Sequence, residues 1–171
     1  MELLEIIKGR RSIRAFQKKE IPPEIIDKMI DALIWAPSAG NLQSRKFYFI
    51  FDQKTKDELV KTALRQSFIA ESPLVIVGCA DERSASKYGE RGITLFSICD
   101  VSASIQNLML LAYEQGLATC WVGAFDEKKV AEFLNLPGNL RPIVICPVGY
   151  AAEKPNPTSR VSKEEAVKII K

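Results

Sequence analysis

The segment from about Leu95 to Gln115 predicts a helix with apolar side chains around nearly its whole circumference. These side chains belong to Leu95, Phe96, Ile98, Val101, Ile105, Leu108, Met109, Leu110, Leu111 and Tyr113. A helix with so little polar surface must be covered on all sides. We therefore expect it in a central layer of the fold, at a subunit interface, or both.

The remaining periodicity predicts helices and strands that alternate loosely. Helices are expected at 2–8, 23–35, 53–67, 126–135 and 163–170, and strands at 46–51, 73–80, 118–122 and 140–150. Gly9 reads as a left-handed helix stop, and Gly116 is expected to end the long apolar helix. With 171 residues and no linker or repeat, the chain is expected to form one domain, 1–171. The alternation favours a sheet covered by helices on both faces, and it leaves the strand order open.

Positive charge is concentrated near the start of the chain. Between Ile6 and Lys19 there are six cationic side chains and no carboxylate, whereas the whole chain has a net charge of only +3. If residues 10–14 were helical or in a tight turn, their arginines would repel one another on one face. A bound phosphate would relieve that repulsion. Because the basicity is local, a small anion is a better partner than a nucleic acid; the alternative is a solvated basic face.

Composition excludes several other functions. The chain has no histidine, which removes Ser-His-Asp hydrolysis and HExxH metalloproteolysis. Its four cysteines are widely spaced and form no CxxC pair, so no metal site is expected and the thiols are expected to be reduced core residues. The first apolar stretch is too short and interrupted for a signal peptide, and the longest apolar run is too short for a membrane span. A cytoplasmic location is the expectation.

Four segments in the same order resemble the nitroreductase (NADH oxidase-like) family of FMN flavoproteins. They are RRSIRAF, APSAGNLQSRKF, CDVSASIQNLMLLAYEQGLATCWVGAF and PVGYAAEKPNPTSR, and together they extend over nearly the whole chain. The resemblance implies an α+β fold: an α/β/α sandwich with a mixed central sheet flanked by helices, built as an intertwined homodimer. FMN is the implied cofactor.

The resemblance also implies which residues would hold the phosphate end of FMN. Arg10 and Ser12, with Arg11 at a more variable position and Arg160 late in the chain, match the residues that bind the terminal phosphate. Arg14 matches the position near the N1 end of the flavin ring, where a cation would stabilise the reduced form.

The ring itself would be contacted by three further groups of residues. Pro37, Ser38, Ala39 and Asn41 match a loop that reaches the flavin from the neighbouring subunit, and Ala39 and the pair Ser44-Arg45 depart from the usual family pattern. Trp121, Val122, Gly123 and Ala124 match the segment beside the ring, with the Gly123 N–H donating to flavin N5. Gln66 matches a residue at the ring edge. Read locally, these segments are also consistent with a loop, a bend and a surface glutamine.

Asp100, Gln106 and Asn107 fit the family pattern as well. Because they lie on the buried helix, they are expected to satisfy backbone or interface polar groups, so we leave them out of the site.

The function implied is transfer of a hydride from NAD(P)H through flavin N5 to a nitroaromatic, a quinone or free flavin, with ping-pong kinetics. No side chain is expected to be catalytic, since the cofactor carries the chemistry. Two alternatives remain open at this point. One is a specialised flavoenzyme of the same fold, such as a dehalogenase or oxidase. The other is a phosphate- or nucleotide-binding module without turnover.

Overall fold

The computed structural model describes residues 2–171, which form one four-stranded sheet with helices on both faces. The helices are α1 (Leu3–Gly9), α2 (Pro23–Ile34), α3 (Gln53–Thr62), α4 (Phe68–Glu71), α5 (Glu82–Ala85), α6 (Gly89–Arg91), α7 (Ser97–Glu114), α8 (Glu127–Phe133) and α9 (Lys163–Ala166). The strands are β1 (Arg45–Ile50), β2 (Leu74–Asp81), β3 (Ala118–Thr119) and β4 (Leu140–Gly149).

The sheet has the order β1-β2-β4-β3, and all its neighbouring strands are antiparallel. The expected mixed character is confined to one isolated parallel bridge, between Ser12 and Thr119 at the β3 edge. The central strands β2 and β4 are buried on both faces, which explains their continuous apolar sequences.

Two hydrophobic cores separate the sheet from its covering helices. Side chains that alternate along β2 enter opposite cores, as Val75 and Ile76 do. On one face α3, α4 and α8 contribute Leu59, Ile69 and Val130. On the other face α2 and α7 contribute their apolar residues. The prediction of a sheet covered on both faces is confirmed.

The apolar helix α7 is a core helix in this fold. By length and composition alone, the continuous helical stretch Glu82–Glu114 could cross a membrane. However, Val101, Ile105 and Leu108 are fully buried against the sheet and α2. The opposite side is only partly covered: Ala103 and Leu110 are half-buried, and Cys99 and Gln106 are exposed. Within residues 2–171 the helix is therefore enclosed on one side and partly open on the other.

Several predicted boundaries differ from the structure for local reasons. The helix predicted at 53–67 ends at Thr62, because Leu64 and Arg65 adopt left-handed φ angles of 52° and 58°. The strand predicted at 118–122 is regular only at Ala118–Thr119 and continues as one bridge at Val122. The helix predicted at 163–170 ends at Ala166.

The two glycines predicted as helix stops have different outcomes. Gly116 follows α7, as predicted, and has φ 76°. Gly9 is the last residue of α1, but the predicted left-handed conformation is wrong: its φ is not positive, and a Cβ there would be 2.3 Å from the Tyr113 hydroxyl oxygen. Close packing of α1 on α7, rather than a left-handed turn, explains this glycine.

We expect Gly149→Ala to destabilise the protein. A Cβ at Gly149 would be 2.5 Å from Cδ of the rigid Pro73 ring and 3.1 Å from Phe16 Cδ1. The free energy of unfolding in urea should fall by about 1–3 kcal/mol, as for other overpacked sites. Gly138→Ala is the matched control, since its Cβ would meet nothing within 4 Å and should change stability by less than about 0.5 kcal/mol. Equal stability of the two variants would contradict this packing account.

Candidate functional site

The basic segment, residues 10–17, is an extended strip of chain hydrogen-bonded to the edge of the sheet. The Ile13 N–H donates to the Thr119 carbonyl (3.0 Å). Further along, the Gln17 N–H donates to the Tyr150 carbonyl (2.9 Å), and the Ala152 N–H donates back to the Ala15 carbonyl (2.8 Å). These bonds connect the basic segment both to β3 and to the chain that leaves β4.

The extended conformation replaces the helix or tight turn considered for residues 10–14. Helix α1 ends at Gly9, and Arg10 has φ −56° and ψ 135°. In an extended strip alternate residues share a face. Arg10, Ser12 and Arg14 therefore lie on one side, while Ile13 between them is 6% exposed and belongs to the core. The helical spacing argument for repulsion between these arginines does not apply.

A pocket of about 230 Å³, which we call the arginine pocket, lies between the basic segment and the C-terminal tail. The structure brings together here all the residues that the resemblance assigned to the phosphate, with Arg14 beside them. Its lining consists of Arg10, Arg11, Ser12, Arg14, Pro155, Asn156, Thr158 and Arg160. This lining contains four guanidinium groups and no carboxylate.

The arginines of this pocket are not neutralised within residues 2–171. None of the four forms an ion pair with a carboxylate there. Arg11 and Arg160 each use one terminal nitrogen on nearby carbonyl oxygens. Arg10 Nε is buried without any hydrogen-bond partner in the same residues. Buried charge-bearing donors that lack a partner are costly, so the pocket is suited to an anion.

The nearest carboxylate is held outside the pocket lining. Glu153 Oε1 accepts a hydrogen bond from the backbone N–H of Arg14. This contact helps to fix the tail against the basic segment, and it leaves the Arg14 guanidinium free to face the pocket.

The surroundings of Cys120 show that the basic segment lies beside the chain that follows β3. Burial raises the pKa of its thiol, and the positive charges of Arg14 and Arg10 partly oppose that rise. The chain that follows Cys120 leads directly to Gly123. The arginines and the 121–124 segment therefore lie along the same edge.

Gln66 and the 121–124 segment are brought together by a hydrogen bond. Gln66 Nε2 donates to the Ala124 carbonyl (3.2 Å) and also to the Ala63 carbonyl (3.0 Å). Gly123 and Ala124 line an open hollow of about 780 Å³. The N–H of Gly123 makes no hydrogen bond to any of residues 2–171 and is exposed, so it is available as a donor.

Trp121 and Val122 differ in what they can offer a ligand. Val122 is 3% exposed and packs in the core, and its N–H and carbonyl are both paired with Ile145. Its side chain therefore does not face the hollow. Trp121 is partly buried on the opposite face of the sheet.

The loop carrying Pro37, Ser38, Ala39 and Asn41 lies elsewhere in the protomer. None of these residues lines the arginine pocket or the hollow at Gly123. The loop makes a tight turn in which Gly40 and Asn41 have φ of 55° and 54°. A Cβ at Gly40 would also be 2.1 Å from the Tyr88 hydroxyl oxygen.

Two charged side chains, Asp100 and Arg45, hold the backbone of this loop through hydrogen bonds, and we call this pair the clamp. Asp100 is 3% exposed and accepts hydrogen bonds from the N–H groups of Ala39 (3.0 Å) and Ser44 (3.3 Å). The Arg45 guanidinium donates to three carbonyls at the end of α2, those of Ile34 (3.1 Å), Ala36 (2.7 Å) and Pro37 (3.1 Å). Burial lowers the pKa of Arg45, and the charge of Asp100 opposes that effect.

No group of three or more metal-ligating side chains occurs in the part of the chain that the structure describes. Cys79, Cys120 and Cys146 are buried, whereas Cys99 is exposed on α7, which corrects the expectation that all four cysteines are core residues.

Comparison with known proteins decides the family. The Nitroreductase family model matches residues 7–66 and 52–150, which include the basic segment, the loop and the 121–124 segment. This chain belongs to the Nitroreductase family. It is an enzyme of that family, and the resemblance noted in the four segments is confirmed.

Individual Nitroreductase family members match over most of their length. A Methanothermobacter thermautotrophicus protein, provisionally named NADH dehydrogenase/NAD(P)H nitroreductase, is 30% identical over 159 residues, 91% of this chain and 80% of that protein. An FMN-dependent nitroreductase from Clostridium difficile is 25% identical, with 97% of this chain and 98% of that chain covered and a TM-score of 0.84. An NADPH:FMN oxidoreductase from Vibrio harveyi, solved with NAD+, shares the fold: it is 24% identical, with 99% and 77% covered and a TM-score of 0.91.

The clamp on the Nitroreductase loop contains Asp100, which the sequence alone did not assign to the site, and Arg45. Asp100 and Asn107 do satisfy backbone groups, as expected, with Asn107 Nδ2 donating to the Ala32 carbonyl (3.3 Å). Arg45 stood out only because it replaces a residue more usual in the family. A buried acid on an otherwise apolar helix was the available signal for Asp100, because such groups almost always have partners.

We expect Asp100→Asn to loosen this loop. An asparagine keeps one acceptor oxygen but turns an NH₂ donor toward the other backbone N–H, leaving that group unpaired. The unfolding free energy in urea should fall by about 1–3 kcal/mol, and limited proteolysis should cut the loop faster. The matched control is Asp52→Asn, since Asp52 caps the exposed start of α3 by accepting from the Thr55 N–H (2.8 Å), and asparagine caps as well as aspartate. If Asp100→Asn lowered the unfolding free energy no more than Asp52→Asn does, the proposed role of Asp100 in holding the loop would be contradicted.

Proposed function

We propose that this chain binds FMN and uses it to transfer a hydride from NAD(P)H to a small acceptor, such as a nitroaromatic, a quinone or free flavin. The observation that carries the proposal is the arginine pocket, in which Arg10, Arg11, Arg14 and Arg160 converge without a carboxylate at the same sheet edge as Gly123. Family membership supports the same activity.

The residues of the pocket fit the phosphate end of FMN. A phosphate is a dianion with several acceptor oxygens, and guanidinium groups bind it through paired hydrogen bonds. Arg10 Nε, which has no partner among residues 2–171, and the Ser12 hydroxyl are donors available for this purpose. Arg160, delivered by the C-terminal tail, would close the pocket from the other side.

The ring end of FMN has donors along the same edge. The free N–H of Gly123 would donate to the ring, and Arg14 would place a fixed positive charge near it. When bound, FMN supplies the hydride-accepting and hydride-donating chemistry. The protein then needs to position and tune the cofactor, which agrees with the absence of histidine from the chain. If both substrates use the open hollow at Gly123 in turn, ping-pong kinetics follow.

The site as proposed is completed by a second copy of the chain. Trp35 and Ile34 at the end of α2 and Leu3 on α1 are 82%, 53% and 66% exposed. A groove of about 300 Å³ between α1, α2 and α7 is lined by Leu3, Trp35 and Leu110 among others. An apolar surface of this kind marks an interface. Because the Pro37 loop follows Trp35 directly, pairing of two protomers here would carry Pro37, Ser38, Ala39 and Asn41 toward the partner's FMN.

The C-terminal tail supports the same proposal. Val167, Ile169 and Ile170 are 61%, 77% and 88% exposed in their own protomer. The outer edge of β1 is unpaired, beside a groove lined by Ile30, Ile34, Phe47 and Phe49. If the C-terminal tail of one protomer lay in this groove of its partner, the apolar side chains of the tail and those of the groove would both be covered.

The first test is FMN binding and its reduction. We expect the purified protein to be yellow or to bind added FMN, and to bleach under anaerobic NAD(P)H. Arg10→Ala should weaken FMN by about tenfold to a hundredfold in Kd, because it removes a charge-assisted bond worth about 1.5–3 kcal/mol. Quenching of FMN fluorescence measures this Kd.

Arg83→Ala is the control for charge alone, since Arg83 is exposed and lies outside the arginine pocket. An unchanged Kd for Arg10→Ala would overturn the phosphate assignment. A colourless protein that ignores added FMN would overturn the proposed function and favour a binding module without turnover.

The second test is the oligomeric state. We expect light scattering after gel filtration to give the mass of a dimer, and Trp35→Glu to shift it toward the monomer and weaken FMN binding. The control Phe133→Glu changes a residue that is 37% exposed on α8, at the opposite face of the sheet, and should remain dimeric. A wild-type protein that is monomeric at all concentrations would contradict the shared site.

A further inference from the structure

We infer that a second cavity, next to the arginine pocket, binds a small organic acid with an apolar body, and that its occupation weakens binding in the arginine pocket. We call it the rear cavity. It has a volume of about 390 Å³, within the range of small-molecule sites. The effect on FMN rests on the proposed function, whereas binding in the rear cavity does not.

The walls of the rear cavity come from five parts of the chain. They are the ends of α1 and α7, strand β3, the basic segment, and the start of the tail. Apolar surface is supplied by Ile13, Leu117, Ala118 and Pro155, together with the ring of Tyr113. Such walls would bury the apolar body of a ligand and gain free energy from the area removed from water.

The charges of the rear cavity favour an anion. Arg10, Arg11 and Lys154 line it, against the single carboxylate of Glu153. That carboxylate is already engaged by the Arg14 N–H. Lys154 forms no ion pair with residues 2–171. A carboxylate is therefore the head group that these walls would stabilise.

Two buried polar atoms at the rear cavity lack partners within residues 2–171. They are Arg10 Nε and the Thr119 hydroxyl, and Thr119 is 1% exposed. A buried polar group without a hydrogen bond costs about 1–3 kcal/mol. A ligand with an acceptor atom would relieve that cost, which an entirely apolar ligand would not.

The rear cavity and the arginine pocket share part of their lining. Arg10, Arg11 and Pro155 line both. Two anions bound beside the same guanidinium groups would compete for their donors and repel one another. Each would therefore weaken the other, and by linkage the factor is the same in both directions.

The experiment uses naphthalene-1-carboxylate as the probe and naphthalene-1-methanol as its uncharged analogue. Calorimetry on the FMN-free full-length protein should show binding of the acid with a Kd of about 1 mM, the value expected for a ligand of this size. The alcohol should bind about tenfold more weakly, because it loses the charge-assisted bonds.

Lys154→Gln removes one cation of the rear cavity, and Lys154 does not line the arginine pocket. It should weaken binding of the acid, leave binding of the alcohol unchanged, and leave the Kd for FMN without probe unchanged. The matched control is Lys163→Gln, an exposed tail lysine that lines neither cavity. Equal affinity of both variants for the acid would overturn the assignment.

The coupling is measured as the FMN Kd at rising concentrations of the acid. It should increase about fivefold and then level off, since both ligands can be bound together. An increase without limit would mean that the acid enters the arginine pocket itself and would overturn the separate site. No binding of the acid would also overturn it. If FMN fails to bind while the acid still binds in a Lys154-dependent way, the proposed function fails and the rear cavity stands.

Discussion

The hydrogen bonds between the basic segment and the sheet edge are the constraint on which the candidate site depends. The bond from the Ile13 N–H to Thr119, with the exchange between Ala15, Gln17 and the chain after β4, holds the basic segment extended. Ile13 anchors it in the core. Because the segment is extended, Arg10, Ser12 and Arg14 lie on one side of it, at the pocket that Arg11 also lines.

This arrangement gathers positive charge without neutralising it. Four arginines line one small pocket, and none of them has an ion pair within residues 2–171. The nearby Glu153 is occupied by a backbone N–H. A protein that only needed a stable fold would gain by placing acids among these arginines, since like charges in proximity are unfavourable. Their absence is consistent with a ligand that carries the missing negative charge.

The loop after α2 is held in a different way, because the charged side chains of Asp100 and Arg45 form hydrogen bonds with its backbone. Asp100 accepts from two of its N–H groups, and Arg45 donates to three carbonyls where α2 ends. These side chains replace the hydrogen bonds that a helix end and a tight turn lack. The loop is thereby held firmly while presenting its outer residues to solvent or to a partner protomer. Holding such residues on a rigid support is what a shared binding site requires.

The amino-acid sequence by itself determined most helices and strands, because their apolar periodicity is local. It also indicated the arginines that we propose to bind phosphate, through a missing set of acids and a resemblance to a family whose model matches the chain. The tertiary structure alone decided the conformation of residues 10–14, the strand order, the clamp by Asp100 and Arg45, the burial of Val122 and the rear cavity. Each of these depends on pairings between residues far apart in the chain, such as Ile13 with Thr119 or Ala39 with Asp100. Local periodicity carries no record of which distant backbone groups will meet, since that is settled by how the whole sheet and its helices bury their apolar faces together.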